Sequence, residues 1–289
     1  MSPSSSSQVA SPSSAGSPSA ATPSAFPAAR ALREPMTAPI GNETIGTLLA
    51  HRTIRAFTDE PVGEEVMRTL LTAARASATS SYFQQVTIIR VRDAAVREAV
   101  HAASGQPYVG GERGELLVLV VDLHRNAVIR ERAGASTEPL ERAYTFLQGC
   151  QDAMIAAQSI MVAAESLGLG TCYLGSILGD PDGLITALGL PERTFPIVGI
   201  LVGHPAQEPQ YKPRLPEGIT VGVDAYPALE AHDAELAAYD ERVTEYYDLR
   251  DASRRVDSFT EQIARMVGQG RAAQAPILDV LHRQRLCLH

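Results

Sequence analysis

Apolar residues recur along the chain with two periods, one helical and one of continuous strand-like runs. Behind Asn42, a residue suited to an N-cap, Ile45, Leu48 and Leu49 fall on one face of a helix. Past Pro61 and Val62, a second amphipathic helix turns Val66, Leu70, Leu71 and Ala74 inward. Val86-Thr87-Ile88-Ile89 reads as a strand, and Asp93 caps a helix through Val96 and Val100. Leu116 to Val121 is apolar without a break, which suits a central strand covered on both faces. Residues 139–167 carry the longest helical pattern. Its half from Ala153 to Ala164 is apolar nearly all round and is expected to be buried, with Gly168 ending it as a C′ glycine. Cys172-Tyr173-Leu174 and Ile197 to Val202 are two further strands. After Pro216 the pattern returns to helices, at roughly 228–247, 257–267 and 276–284. The fold class is α+β, one small sheet sandwiched by helices, without an internal repeat.

Residues 1–38 stand apart from this pattern. Up to Pro35 they are mostly Ser, Pro and Ala, too poor in apolar side chains to offset the entropy of ordering them. A signal peptide's order of basic residues before an apolar run is missing, since Arg30 and Arg33 come at the end. The segment is expected to be a disordered, dispensable leader, with Met36 as an alternative start.

Composition narrows the function. A formal net charge of −8 over 289 residues argues against nucleic acid as the main partner, while leaving room for a local basic pocket. No apolar run approaches the ~20 residues that span a bilayer. Cys150, Cys172 and Cys287 form no C-x-x-C pair, and the histidines have no metal-ligand spacing. Neither a disulfide framework nor a metal site is suggested, and a reducing cytoplasm fits.

Five clusters and one lone glutamine carry candidate chemistry. His51-Arg52-Thr53-Ile54-Arg55 follows the first helix; its two guanidiniums offer forked donors that match phosphate oxygens, the alternative being a solvated charged turn. Thr79-Ser80-Ser81 offers hydroxyls to a polar heterocycle or sugar, or is simply a polar loop. Gln106 offers an amide to a ring carbonyl or ring nitrogen, or is a turn glutamine. From Glu165 to Ser176, glycines permit a flat ligand to approach the backbone, although a helix end followed by a strand is part of the reading. In Tyr211-Lys212-Pro213-Arg214-Leu215-Pro216, prolines stiffen an extended segment that puts Lys212 and Arg214 on one side, either as a second cationic pincer or as a surface linker. Arg250, Arg254 and Arg255 share a loop between C-terminal helices and are weak on their own. No Ser-His-Asp set, G-x-S-x-G elbow or catalytic carboxylate pair can be assembled, as in enzymes that leave the chemistry to a cofactor.

In this order, His51-Arg52-Thr53-Ile54-Arg55 with Phe57-Thr58-Asp59-Glu60-Pro61, Ala164 to Gly170, Lys212 to Pro216 and the ending Ile277 to His282 resemble the flavin-dependent nitroreductase superfamily. The resemblance spans about residues 40–285 and is nearest the oxygen-insensitive NADPH nitroreductases and NADPH-flavin oxidoreductases. It implies a leader at 1–38 and an FMN-binding domain over 39–289 with a C-terminal helical extension. The implied fold is a small mixed sheet sandwiched by helices in an intertwined cytoplasmic homodimer, with FMN held non-covalently at the subunit interface. By the same resemblance His51, Arg52, Thr53 and Arg55 hold FMN, the arginines through its phosphate, and Lys212 and Arg214 join that anion site. Thr79, Ser80 and Ser81 reach the partner's flavin, Gln106 approaches the isoalloxazine, and Tyr173, Leu174, Gly175 and Ser176 line one side of the ring. Arg250 and Arg254 take the 2′-phosphate of NADPH. Thr53 and Thr79 stand where relatives often have serine, and Ser176 stands where a glycine is common. The implied cycle is ping-pong, from NADPH to a nitroaromatic, a quinone or free flavin. Alternatives are a dedicated flavin reductase, a reductive dehalogenase of the same fold, or a flavin-binding redox sensor without turnover.

Overall fold

The computed structural model describes residues 35–248 and 257–289. In chain order the elements are α1 (Glu43–Leu49), α2 (Glu64–Arg75), β1 (Val86–Val91), α3 (Ala94–Ser104), β2 (Glu115–Asp122), α4 (His124–Arg132), α5 (Ala143–Ser166) and β3 (Gly170–Leu174). They continue with α6 (Pro181–Ala187), β4 (Thr194–Gly203), α7 (Glu217–Thr220), α8 (Asp233–Asp248), α9 (Phe259–Met266), α10 (Arg271–Gln274) and α11 (Ile277–Arg283). The leader, apart from the residues from Pro35 onward, lies outside the described residues.

The strands form a four-stranded sheet in the order β1-β2-β4-β3. Every pairing in it is antiparallel, where a mixed sheet was expected. The crossover through α5 does return β3 parallel to β2, but β4 inserts between them and pairs with both. β2 is buried on both faces, as its unbroken apolar run predicts. Leu117 and Leu119 pack with Met67 and Leu70 of α2 and Ala153, Ala157 and Ile160 of α5. On the opposite face Leu116, Val118 and Val120 pack with Val100 of α3, Leu184 of α6, and Ile54 and Phe57. β4 begins before the expected Ile197; Pro196, which has no N–H for the ladder, is absorbed where the register shifts between Leu119 and Val120.

Helix ends follow the caps read from sequence. Asn42 Oδ1 accepts from the Ile45 N–H at 2.9 Å, and Asp93 Oδ1 from Ala95 and Val96 at 2.9 and 3.0 Å. Gly168 takes φ +78° just past α5, the left-handed backbone that glycine adopts without penalty. Two expectations fail. The helix expected over 139–167 breaks at Arg142, which has ψ 140° and separates a 3₁₀ turn at Glu138–Glu141 from α5. The second half of α5 is also not buried all round: Ala153, Ala156, Ala157 and Ile160 face the sheet, whereas Met154 is 42% and Ile155 45% exposed. Leu48 of α1 lies open as well, with 46% exposure.

Candidate active site

The segment after α1 is a strap stitched across one sheet edge. The Ile54 N–H donates to the Thr171 carbonyl at 2.8 Å, the Thr58 N–H to His204 at 2.9 Å, and the Ala206 N–H to Ala56 at 2.9 Å. Its apolar residues lock it down. A Cβ on Gly170 would lie 2.7 Å from Ile54 Cγ1, and one on Gly203 2.8 Å from the Phe57 ring. These glycines make room for the strap's side chains. With Ile54 and Phe57 turned into the core, His51, Arg52, Thr53 and Arg55 are left facing a cavity.

That cavity, about 630 Å³, is lined by His51, Arg52, Thr53 and Arg55 from the strap, Gln106 and Tyr108 from the loop after α3, and residues of the stretch 207–214, including Glu208, Gln210, Lys212 and Arg214. Its volume lies within the ~300–1,000 Å³ usual for small-molecule sites. Four cationic side chains from two distant segments therefore meet in a chain of net charge −8, opposed on the lining by Glu208. Arg52 is already engaged: it donates to Glu208 Oε1 at 3.2 Å and the Pro209 carbonyl at 3.4 Å, and lies 5.0 Å from the Tyr211 ring centroid. Arg55 lies over Tyr108 at 5.8 Å. Burial pushes the Cys172 thiol up, and the positive charges of Arg55 and Lys212 pull the other way. The buried Gln210 Oε1 has no hydrogen-bond partner among the described residues.

The chain and its fold match known proteins. The Nitroreductase family model matches residues 48–204, and the model described as Nitroreductase family, C-terminal domain matches 212–289. The chain belongs to the nitroreductase family. It is 36% identical over 231 residues to an FMN reductase (NADPH) of Bacillus subtilis, covering 79% of this chain and 92% of that protein. It is 37% identical over 243 residues to an oxygen-insensitive NADPH nitroreductase of Salmonella typhimurium, covering 83% and 97%. A solved B. subtilis nitroreductase superposes with a TM-score of 0.80 at 33% identity, covering 85% of this chain and all of that one.

In this nitroreductase the cavity unites His51, Arg52, Thr53, Arg55, Gln106, Lys212 and Arg214. The other expected residues are not on its lining. Leu174 is buried in the core, and Tyr173 packs on the α2–α5 side, donating to Gln158 Oε1 at 3.2 Å. Gly175 and Ser176 sit in the 3₁₀ turn after β3. Thr79 borders a different recess of about 650 Å³ with Arg75, Phe83, Arg125 and Asp152. Beside it, the Ser80 N–H and Oγ donate to Asp152 Oδ1 at 2.8 and 2.9 Å, and Ser81 is held at φ 51°. Arg250 and Arg254 lie outside the described residues. Sequence reasoning did not single out Tyr108, Glu208 and Gln210, nor the contact of Glu165 with His51. Among the described residues no acidic, His or Cys cluster is placed to hold a metal, and no helix is long and apolar enough to cross a membrane.

Proposed function

We propose that this chain is an FMN-dependent oxidoreductase that takes electrons from NADPH and delivers them to a nitroaromatic, quinone or flavin in a ping-pong cycle. The observation that carries this reading is the meeting of Arg52, Arg55, Lys212 and Arg214 in one cavity with the orphaned acceptor of Gln210. Guanidinium forks suit the phosphate end of FMN, and an amide acceptor suits its N–H and hydroxyl groups. The B. subtilis relative's name supports FMN and NADPH, and the S. typhimurium relative's name supports NADPH and nitro compounds. Bound there, FMN supplies the hydride and electron chemistry. The chain's part is to anchor the phosphate through Arg52 and Arg55, add Lys212 and Arg214 to the same charge, and offer Gln106 and Thr53 as polar contacts. Tyr173 to Ser176 and the partner's Thr79 to Ser81 complete the proposal at the ring. Arg250 and Arg254 are proposed for the 2′-phosphate of NADPH on sequence alone.

Comparing acceptors in steady state tests the reading. NADPH oxidation is expected to rise when a quinone or nitroaromatic is added to the FMN-loaded protein. Turnover with free flavin only would favour a flavin reductase, with halogenated aromatics only a dehalogenase, and no turnover at all a sensor.

The functional unit is proposed to be a cytoplasmic homodimer. Leu48, Met154 and Ile155 leave open apolar surface on α1 and α5, the kind of surface a second copy covers, and Thr79 to Ser81 of one chain then stand available to the other's cavity. Sedimentation at micromolar concentration is expected to give a dimer; a flavin-loaded monomer would contradict it.

A further inference from the structure

Glu165 stands near the end of α5, where its Oε1 meets two groups at once. The Thr171 hydroxyl donates to it at 2.7 Å, and His51 Nδ1 lies 2.7 Å away. Thr171 is wholly buried, and its backbone is fixed to the strap by the bridge to Thr53 and by its carbonyl's bond from Ile54. An ionised carboxylate only accepts, so the proton between His51 and Glu165 belongs to His51 Nδ1. That leaves Nε2 as the ring nitrogen available to a ligand in the cavity His51 lines.

We propose that Glu165, oriented by Thr171, is a positioning residue that makes His51 a donor to a bound anion only as imidazolium, so that anion binding takes up a proton. The anion is the FMN phosphate, and in this the inference rests on the function proposed above. With Nδ1–H given to Glu165, a neutral His51 turns a lone pair toward the anion; protonation converts Nε2 into a charge-assisted donor. The groups facing His51 decide when that occurs. Glu165 on α5 favours the imidazolium, with the Tyr173 phenol of β3 close to that carboxylate. Arg52 and Arg55 on the strap, and Lys212 and Arg214 across the cavity, oppose it; Glu208 offsets part of that charge. A phosphate reverses the balance by neutralising those cations.

The test is an FMN titration of flavin-stripped protein, followed by flavin fluorescence from about pH 6 to about pH 8, with calorimetry in buffers of different ionisation enthalpy. Wild type is expected to take up a proton and to bind roughly tenfold more weakly at the upper end. In Glu165→Gln the amide oxygen can keep both contacts but carries no charge, so the imidazolium loses its counter-ion and both the proton uptake and the slope are expected to fall. Thr171→Val keeps the carboxylate but frees its orientation, so an intermediate slope is expected. The phosphate's own titration near ~6 is common to all three proteins, so the differences report His51. Equal slope and equal proton uptake in wild type and Glu165→Gln would overturn the proposal. So would histidine ¹⁵N spectra of wild type, assigned with His51→Gln, that show neutral His51 protonated on Nε2. Absence of FMN binding by wild type at any pH would overturn the flavin reading instead; inorganic pyrophosphate as the probe then reads the His51 proposal by itself.

Discussion

Arg55→Ala is expected to give a folded protein that binds FMN roughly 10- to 100-fold more weakly, and Arg52→Ala/Arg55→Ala one that is purified without flavin. A charge-assisted contact between a guanidinium and a phosphate is worth ~1.5–3 kcal/mol, and each ~1.4 kcal/mol is tenfold in affinity. Arg55 is the cleaner probe. Arg55 lies over the Tyr108 ring, whereas Arg52 also ties the strap to Glu208, Pro209 and Tyr211, so its loss disturbs the cavity wall too. Neither arginine holds the strap on the sheet, a task that falls to Ile54, Phe57 and the backbone bonds. Thermal melts should therefore stay close to wild type while flavin fluorescence titrations shift. If both single variants keep full FMN occupancy on dilution, the phosphate assignment is wrong.

The largest stability effect is expected at Glu141, far along the sequence from either cationic segment. The C-terminus is stitched to the start of α5: Glu141 Oε1 accepts from Arg193 and from Arg285 Nε, each at 2.9 Å, and the Leu288 N–H donates to the Glu141 carbonyl at 2.8 Å. The Ala143 N–H donates to the His289 carbonyl at 2.8 Å, and Val280, Leu281 and Leu286 bury themselves against Phe146 and Phe195. Arg193 is only 8% exposed, so removing the charge of Glu141 strands a buried guanidinium. Breaking such a buried pair costs ~3–5 kcal/mol; with Arg285 partly in water we expect about 3 kcal/mol for Glu141→Gln. At ~2–4 °C per kcal/mol for a domain of this size, Tm should fall by about 6–12 °C. Burial pushes the Glu141 pKa up, but hydrogen bonds from Arg285 and Arg193 outweigh it and hold the carboxyl below its ordinary value. A native value below the unfolded one stabilises at neutral pH, and that stabilisation is lost as pH falls through the native value. The gap between wild type and variant should thus be full at neutrality and close in acid, below the ordinary carboxylate range. An unchanged Tm, or a gap indifferent to pH, would contradict the assignment.

How far the sequence could be read depended on separation along the chain. The cationic strap and the Lys212–Arg214 pincer were legible because each is compact, and arginine and lysine in such density have few structural uses in an acidic chain. Caps at Asn42, Asp93 and Gly168 were legible for the same local reason. α4 was missed because it buries only Ala127 and shows no apolar stripe. α6 was missed although its signal is local: Asp180 caps it by accepting from the Gly183 N–H at 2.9 Å, and Pro181 occupies its first position. The glycines near residue 170 were read as room for a ligand, yet Gly170 makes room for Ile54, 116 positions earlier, a packing fact no local pattern carries. His51 and Glu165 lie 114 residues apart and meet only through the crossover of α5. The exposed side of α5 looked like core because an apolar residue left open on the surface reads the same in sequence as one facing a sheet.

Binding of FMN in this cavity and its reduction by NADPH is the proposed activity. It is tested most directly by the flavin content of the full chain after purification and incubation with excess FMN, followed by addition of NADPH without oxygen. The expected result is an absorbance spectrum of bound flavin, release on denaturation of FMN equimolar with the chain, and bleaching of that spectrum by NADPH. A protein that stays colourless with FMN in excess, or whose bound flavin NADPH does not bleach, would contradict it.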